Sequence, residues 1–460
     1  MQEQSATATS PVWNFKSRPD LRPPRLTVPV REAGLSPGYI FVSPKLGDGQ
    51  EGALIMTSSA RPVLFIPKSS KVMDFKRQVY QGKPVLTFWM GQFIPGYGFG
   101  AYTILDESYQ TIATVEAANG YKADLHELTI TEQGTALIAI YHEVPHYDLS
   151  PFGGPADHTV LEAIVQEIDI ATGELLVEWH SLPQIRPDES YSPMPQSASD
   201  PPYDYFHINS LEVMGNGDLL VSGRNTSALY SINRQTGALN WRLGGKKSRF
   251  KMGTGTQTAY QHDARWHPGD IISVFDNGGA PFVHAQSRGV VMKLDMIAKT
   301  TTLVKEYIHP DNLRSAHQGN MQMRSNGNVV IGWGALGVIS EFAQDGRLLY
   351  DARYPGTYES YRAFRFPWSP TPIGRPAIAV NFPSTSSARV YTSWNGATKV
   401  RTWRVLAGLS STTLEAVGTA PCQLFETSML VNTSRSYIAV EALDKNGRLL
   451  ARSRVVQRPR

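Results

Sequence analysis

Four histidines occur at the same position of a recurring sequence unit: His126, His207, His262 and His317. Each is followed by alternating apolar residues, a turn that contains glycine, and a second apolar run, as in HELTITEQGTALIAIY and HINSLEVMGNGDLLVSGRN. Imidazole can bind a metal, hold an anion, or act as a base or nucleophile. If the repeated units surround a common axis, these side chains meet at one point, and we expect a functional site there.

Repeats of about 40 to 50 residues that consist of short strands are typical of β-propellers. The sequence therefore predicts an all-β fold, with a six-bladed β-propeller over residues 38–385. The segment YRAFRFPW, which begins at Tyr361, is predicted to close the ring together with N-terminal strands. Residues 1–37 are polar and proline-rich and are predicted to form an extended arm. Residues 386–460 contain short strands rich in Ser and Thr, which predict a small fibronectin III-like β-sandwich.

The composition argues against several classes of protein. Charged residues make up 18% of the 460 residues, the net charge is +4, and no run of Lys or Arg stands out, so we expect no nucleic-acid partner. No apolar run approaches the ~18 residues that a membrane-spanning helix needs. The single cysteine, Cys422, excludes an intrachain disulfide. The polar N-terminus and two sequons, at Asn225 and Asn432, are compatible with a secreted glycoprotein whose signal peptide has been removed.

Side chains other than the histidines are also candidates for the site. Arg288 begins the apolar run RGVVMKLD about one hairpin after His262, so it could face the same pocket. The fixed fork of a guanidinium suits a tetrahedral oxyanion such as sulfate. Trp333 and Tyr361 either line the pocket or belong to the core of their sheets. The same two alternatives, pocket lining or a structural role, apply to His126.

An insertion follows the first histidine unit, with the sequence HEVPHYDLSPFGGPADH. We expect it to form a loop over the mouth of the funnel, where Tyr147 and Phe152 contact the substrate. Its residues from His142 to His146 have the HExxH spacing of a zinc site, but that motif needs a helix and the proline inside it disfavours one. The sequence therefore predicts no metal site, and it predicts no cofactor.

Several motifs together resemble the bacterial PAPS-independent arylsulfotransferases and their relatives, over about residues 85 to 355. They are HINS at 207, QHDARW at 261 with FDNGG at 275, and SRGVVMKLD at 287. The resemblance implies a six-bladed propeller that transfers a sulfuryl group between phenols through a sulfohistidine. It also implies that His207, His262 and Arg288 bind the sulfuryl oxygens and that His317 is the nucleophile. The expected substrate is a phenol-like aromatic small molecule in the central funnel.

The chain departs from the bacterial pattern, because it lacks the cysteine pair of those enzymes and has the C-terminal strands. These departures, with the sequons and the proline-rich arm, resemble the fungal branch of the family. Propellers similar to that branch include secondary-metabolite cyclases, so an alternative function stays open. In it, a tropolone or phenol loses water to give a quinone methide, which couples to a terpene by a hetero-Diels–Alder reaction. A third alternative is a binding propeller whose C-terminal strands dock on a glycan or a protein.

Overall fold

The computed structural model describes residues 10–279, 281–423 and 425–459. The chain is all-β over these residues, apart from three single-turn 3-10 helices at Ser150–Phe152, Pro187–Glu189 and Gly334–Leu336. Runs of alternating or continuous apolar residues, separated by turns that contain glycine, form short antiparallel strands, as such patterns predict. The predicted all-β class is therefore confirmed.

The described chain up to His180 forms one short strand and then the strands of three sheets. The strand β1 (Thr27–Arg31) comes first. The first sheet contains β2 (Tyr39–Lys45), β3 (Gly52–Met56) and β4 (Pro62–Pro67). The second contains β5 (Lys71–Tyr80), β6 (Lys83–Ile94), β7 (Tyr97–Leu105) and β8 (Thr111–Val115). The third contains β9 (Leu128–Ile130), β10 (Thr135–Tyr147), β11 (His158–Asp169) and β12 (Leu175–His180).

Three further sheets repeat the same order of antiparallel strands. The fourth sheet contains β13 (Ile208–Val213), β14 (Leu219–Gly223), β15 (Ala228–Ile232) and β16 (Leu239–Gly244). The fifth contains β17 (His262–His267), β18 (Ile271–Asp276), β19 (Arg288–Asp295) and β20 (Thr300–Tyr307). The sixth contains β21 (Asn320–Met323), β22 (Val329–Gly332), β23 (Val338–Phe342) and β24 (Leu348–Arg353), and β1 pairs with the edge of β24.

The six sheets are joined in a closed circuit. The strand β25 (Glu359–Phe366) follows the sixth sheet in the chain and pairs with β2, so it is the fourth strand of the first sheet. The strands β25, β5, β9, β13, β17 and β21 occupy the same edge position in successive sheets, and each contacts the next sheet in the series. We call them the inner strands. The segment at Tyr361 thus completes a sheet with N-terminal strands, and this pairing removes two free sheet edges.

The remaining strands form two sheets at the C-terminus. One contains β26 (Ala377–Ser384), β27 (Ser387–Ser393) and β30 (Glu426–Asn432). The other contains β28 (Thr402–Gly408), β29 (Glu415–Pro421), β31 (Tyr437–Leu443), β32 (Leu449–Arg452) and β33 (Val456–Gln457). Their facing side chains share a core around Trp403. The predicted boundary between residues 385 and 386 falls in the hairpin that joins β26 to β27, so the C-terminal unit begins earlier, by Ala377. The Ser- and Thr-rich composition that predicts the boundary begins at the turn between β26 and β27, which lies within this unit.

The N-terminal segment packs on both parts of the molecule. Of the predicted arm over residues 1–37, residues 1–9 lie outside the described residues. In the described part, Phe15 packs on Phe425 with ring centroids 4.3 Å apart, and Oγ of Ser17 donates to Glu426 across 2.6 Å. The segment therefore bridges the sixth sheet, through β1, and the C-terminal unit.

The two sequons lie in different environments. Asn225 is buried, and its side-chain amide donates to the carbonyl of Asp204 across 2.6 Å, so the folded protein cannot carry a glycan at this residue. Asn432 is exposed at the end of β30 and remains available. The expectation of a glycoprotein therefore depends on Asn432, and secretion stays a prediction. No helix among the described residues has both the length and the apolar character needed to cross a membrane.

A network of buried charges connects the inner strands. Glu127 accepts hydrogen bonds from Lys76, Arg265 and Arg362, and Nη1 of Arg362 also donates to Asp74 across 2.8 Å. With Asp263, which pairs with Arg265, the network contains three carboxylates and three cations. Because the charges balance and each lies within contact of an opposite charge, burial of the network is tolerated.

Removal of one cation from this network should strongly destabilise the protein. Arg362 is buried, with its side chain 1% exposed, and its loss leaves Asp74 and Glu127 with one compensating charge fewer. We expect Arg362→Ala to lower the free energy of unfolding by about 3–5 kcal/mol, the usual effect of breaking a buried ion pair. Urea unfolding followed by circular dichroism measures this change. The control is Arg375→Ala, at an exposed position. A loss as small as that of the control would contradict the importance of the network.

Candidate functional site

The four repeated histidines line one cavity. His126 and His207 lie just before the inner strands β9 and β13, His262 is the first residue of β17, and His317 lies three residues before β21. Because the inner strands approach each other side by side, residues at this position in successive sheets converge. The resulting cavity has a volume of about 500 Å³ and is lined by all four imidazoles. The four histidines therefore lie around one cavity, as their common position in the repeats predicts.

The backbone is strained where the inner strands begin. His207 and Gln318 have φ angles of 54° and 64°. These lie in the left-handed region, which residues other than Gly, Asn and Asp seldom adopt. Gly319, which follows Gln318, has φ 102°, and a Cβ there would lie 2.5 Å from the ring of Phe275. Non-glycine residues in such conformations are often found at functional sites, where the surrounding structure holds them in place.

Two of the imidazoles are held by aspartates. Nδ1 of His126 contacts Oδ2 of Asp124, and Nδ1 of His207 contacts Oδ2 of Asp204. A carboxylate can only accept, so each Nδ1 carries a proton and, in a neutral ring, each Nε2 has the free lone pair. The two ring centroids lie 5.0 Å apart. The pair therefore offers two neighbouring imidazoles in the tautomer that suits a base or a nucleophile at Nε2.

His262 has hydrogen bonds at both ring nitrogens. Its Nδ1 donates to Oδ1 of Asn277 across 2.7 Å, because the Asn277 amide group already donates to the carbonyls of Ser315 and Gln318. Its Nε2 accepts the backbone N–H of Gln318 across 3.3 Å. Burial, together with the nearby Arg224 guanidinium, lowers the pKa of His262 well below its usual value. His262 is thus neutral, and it positions the segment that carries His317.

His317 lies exposed at the mouth of the cavity and belongs to a chain of polar contacts. The side-chain amide of Gln318 donates to Nδ1 of His317 across 3.1 Å and to Oε1 of Glu359 across 2.9 Å, and Glu359 pairs with Lys45. Because an amide NH₂ group can only donate, a neutral His317 carries its proton on Nε2. Desolvation by the cavity walls, followed by the charges of Arg224 and Lys45, lowers the pKa of His317.

The arginine in the cavity is Arg224, which is not among the site residues predicted from the sequence. It follows the last residue of β14, and its Nη2 donates to the carbonyl of Ala316, next to His317, across 3.1 Å. Its guanidinium lies 4.9 Å above the ring of Tyr260. The repeat contains the signal that would have identified it, because Arg224, Asn277 and Trp333 all follow the second strand of their sheets.

Arg288, predicted to bind the sulfuryl oxygens, is not among the residues that line the cavity. Its guanidinium donates to Asp276 across 3.0 Å, to Glu306 across 2.7 Å and to the carbonyl of Gln257 across 3.0 Å. It begins β19, the third strand from the inner edge of its sheet, and each strand adds about 4.8 Å. The structure therefore does not bring Arg288 together with the four histidines.

The predicted substrate-binding aromatic residues fall into two groups. Tyr361 lines the cavity, and its ring centroid lies 5.5 Å from that of His126. Trp333 is buried, donates from Nε1 to Ser340 across 2.9 Å, and belongs to the core between the fifth and sixth sheets, which is one of the two alternatives predicted for it. Tyr147 and Phe152 pack beside the core between the third and fourth sheets and do not line the cavity. The apolar surface of these two rings is covered by that core, which explains why they pack there.

The walls of the cavity differ from side to side. Met73, Phe93 and Leu125, contributed by the second and third sheets, make one wall apolar. The other wall comes from the fourth to the sixth sheets. It contains the imidazoles of His207, His262 and His317 with Arg224 and Gln318. Lys45 and Lys71 complete the lining beside Glu359. The cavity therefore combines an apolar wall of a kind suited to an aromatic ring with a polar wall whose cation, Arg224, suits an anion. We call the second the cationic wall.

The charge network lies next to the residues that line the cavity. Four of its members, Asp74, Glu127, Asp263 and Arg362, each directly follow a residue that lines the cavity. The strand register is irregular at two of these positions, between Met73 and Lys76 and between His262 and Arg265.

The HExxH sequence in the insertion is extended. His142, Glu143 and His146 all lie in β10, and Nδ1 of His146 contacts Asp157 across 3.0 Å. Within residues 10–279, 281–423 and 425–459, no group of three or more His, Cys, Asp or Glu residues is arranged to hold a metal ion. The strand geometry agrees with the argument from the internal proline.

Comparison with known proteins places most of the six-sheet region in one family. The family model described as Arylsulfotransferase (ASST) matches residues 76–355. This range contains His126, His207, Arg224, His262 and His317. No curated protein matches the sequence.

Solved structures similar to this chain have low sequence identity. A protein of unknown function from Bacteroides caccae is 12% identical, with a TM-score of 0.43, over 71% of this chain and 98% of its own. A catalytically inactive virginiamycin B lyase from Staphylococcus aureus, in complex with quinupristin, is 9% identical, with a TM-score of 0.36, over 80% and 97%. A protein from Lactobacillus plantarum is 13% identical, with a TM-score of 0.38, over 91% and 97%.

Proposed function

Because the chain belongs to the arylsulfotransferase (ASST) family, we propose that it transfers a sulfuryl group from an aryl sulfate to a phenol in the cavity described above. One observation carries the proposal: four imidazoles from successive sheets line a single cavity with Arg224. An aryl sulfate has an apolar ring and an anionic group, which match the two walls. The acceptor is a phenol-like small molecule, and the reaction uses no cofactor.

His317 is the nucleophile in this proposal, as the family resemblance implies. Its unprotonated nitrogen attacks sulfur, an N–S bond forms, and the S–O bond to the aryl group breaks with its electron pair on the phenolate oxygen. A second phenol then attacks sulfur, and the N–S electron pair returns to the imidazole. The lone pair of His317 lies at Nδ1, where Gln318 donates to it. The attack therefore requires release of Gln318, or transfer of the ring proton from Nε2 to Nδ1.

Arg224 stabilises the transferred group in place of Arg288. Its guanidinium lies at the cavity wall between the segments that carry His207 and His317. Charge on the sulfuryl oxygens is then offset by a preorganised cation in a cavity that also has an apolar wall. Lys45 also lines the cavity, but it pairs with Glu359 and burial lowers its pKa to about 7, so the permanent positive charge is that of Arg224. The lowered pKa of His317 keeps the nucleophile neutral near pH 7.

The proposal includes an interpretation of the fold. The six sheets, joined through β25, are the blades of a six-bladed β-propeller, and the two C-terminal sheets form a fibronectin III-like sandwich. The closed circuit of inner strands supports the first part, and the shared core around Trp403 supports the second. Ligands of propellers commonly bind at the mouth of the central funnel, where the histidines of this chain converge.

The direct experiment incubates the full chain with p-nitrophenyl sulfate and phenol. The expected result is protein-dependent release of nitrophenolate with equimolar formation of phenyl sulfate, measured by absorbance and by mass spectrometry. Nitrophenolate without phenyl sulfate would indicate hydrolysis, and no release would contradict the proposal.

A second candidate function is the cyclase described above, and one observation favours it. The hydrogen bond from Gln318 leaves the proton of His317 on Nε2, so the resting site presents a donor at the mouth of the cavity. A donor there could help a hydroxymethyl group to leave as water, beside an apolar wall that holds a terpene. Conversion of a hydroxymethyl tropolone or phenol plus a terpene, without any activity on aryl sulfates, would favour this candidate.

A further inference from the structure

We propose that His126, oriented by Asp124, is the acid–base residue that accepts the proton of the acceptor phenol during sulfuryl transfer. The inference rests on the proposed function and assigns a step that His317 and Arg224 do not perform. A neutral phenol is a poor nucleophile, so its O–H proton must move to a base as its oxygen attacks sulfur.

Asp124 fixes both the orientation and the tautomer of His126. The carboxylate is buried, and its Oδ2 accepts the backbone N–H of His126 across 2.9 Å and also the Nδ1 proton of the ring. Its Oδ1 accepts the backbone N–H of Gly98 across 2.8 Å. With these contacts the carboxylate cannot rotate freely. The imidazole therefore keeps its proton on Nδ1 and its lone pair on Nε2, the arrangement of a general base.

The lone pair of His126 is available to a ligand. His126 lines the cavity, and Nε2 makes no hydrogen bond with any residue in the described ranges 10–279, 281–423 and 425–459. The rings of Tyr141 and Tyr361 lie on two sides of the imidazole, with centroids 5.6 Å and 5.5 Å away. These rings limit the directions in which the imidazole can turn.

The position of His126 suits the hydroxyl of an acceptor phenol. It lies beside Leu125, at the edge of the apolar wall, and its ring is next to that of His207 on the cationic wall. An aromatic acceptor whose ring packs on the apolar wall has its hydroxyl group towards the imidazoles that line the cavity. His126 is the Asp-held imidazole on the acceptor's side of the cavity.

The other imidazoles are less suited to this proton transfer. His262 has hydrogen bonds at both nitrogens, and His317 is the nucleophile. His207 is also held by an aspartate, but it directly contacts the segment of Arg224, whose backbone N–H donates to the His207 carbonyl across 2.9 Å. Burial lowers the pKa of His207, and the Arg224 charge acts in the same direction. A proton on His207 would therefore add a second cation beside the guanidinium.

The step balances without a further reactant. The phenol O–H bond breaks, its proton binds Nε2 of His126, and the oxygen electron pair forms the new S–O bond. The N–S bond breaks, and its electron pair returns to His317. The proton leaves His126 to solvent, or to the next leaving phenolate in the reverse half of the cycle.

The test uses p-nitrophenyl sulfate as the donor and a series of phenols of different acidity as acceptors. Nitrophenolate is a good leaving group, so its first release needs no acid, whereas a weakly acidic acceptor needs the base. We expect His126→Gln to keep the initial burst of nitrophenolate. We expect turnover with unsubstituted phenol to fall by about 100-fold, and turnover with strongly acidic phenols by less than about threefold. Asp124→Asn should give the same dependence on acceptor acidity, because it favours the wrong tautomer.

His142→Gln is the matched control, because His142 lies on β10 outside the cavity and packs on Tyr121. It should retain wild-type turnover with every acceptor. If His126→Gln lowers turnover equally for all acceptors, or abolishes the initial burst of nitrophenolate, the assignment of His126 is overturned. Neither result contradicts sulfuryl transfer by the wild-type protein. Wild-type protein that releases no nitrophenolate would overturn both proposals. If His126→Gln does not fold, the acceptor series with Asp124→Asn decides the question.

Discussion

Replacement of His317 by alanine is expected to reduce nitrophenolate release from p-nitrophenyl sulfate to the rate measured without protein. The imidazole is the protein group that forms a bond to sulfur in the proposal, so its loss removes both half-reactions. The remaining imidazoles are held in other roles, His262 by Asn277 and Gln318, and His126 and His207 by their aspartates. The measurement is steady-state absorbance with phenol as acceptor.

The stability of the protein should change little with this substitution, because His317 is exposed at the cavity mouth. Unfolding curves of the variant and the wild type therefore separate a chemical loss from a folding defect. His146→Ala is a suitable control, since His146 also lies at the surface, in the insertion, with its side chain 84% exposed. A variant at His317 that retains most of its activity would move the nucleophile to another imidazole, and His207 would be the next candidate.

Replacement of Arg224 by methionine is expected to reduce sulfuryl transfer by about 100- to 1,000-fold, the usual effect of removing one preorganised donor to a developing charge. Methionine keeps much of the apolar length of the side chain, and so the contact with Tyr260, but has no charge. The loss should appear mainly in kcat, because charge on the sulfuryl oxygens is largest in the transition state.

Arg288→Met is the paired experiment, because the family resemblance selects this arginine and the geometry does not. Its side chain pairs with Asp276 and Glu306, and Asp276 is buried. We expect this variant to lose stability but to keep its activity per folded molecule. If Arg288→Met loses activity and Arg224→Met does not, the assignment of the anion-binding arginine is wrong.

The sequence predicts the convergence of the histidines because that prediction depends on local patterns. Strand length, glycine turns and the position of the histidine in each repeat are visible in HINSLEVMGNGDLLVSGRN and its counterparts. A circuit of similar sheets then brings residues at the same position of each repeat close together. The role of the segment at Tyr361 was accessible for the same reason, since an unmatched strand at the end of a repeat series needs partners.

The choice between Arg224 and Arg288 could not be made from proximity in the chain. Arg288 follows His262 by one hairpin, but the third strand of a sheet lies about 10 Å from the first, and Asp276 holds the guanidinium there. Comparison of the repeats would have been sufficient for Arg224, since it stands where Asn277 supports His262. The aspartates were also visible, two and three residues before His126 and His207.

The aromatic residues show the opposite difficulty. Tyr147, Phe152 and Trp333 are large enough to reach a ligand, but burial of their rings against the nearest sheet is favourable without one. Nothing in the local pattern separates these two uses of an aromatic ring. Only the packing of neighbouring sheets decides between them, and packing depends on residues far apart in the chain.

The most direct measurement of the central claim is the intact mass of the protein after brief mixing with p-nitrophenyl sulfate in the absence of any acceptor. Transfer through an imidazole predicts a gain of the mass of one sulfuryl group, located on His317 by fragmentation and removed when phenol is added. Nitrophenolate release with no such gain, or a gain on a residue outside the cavity, would contradict it.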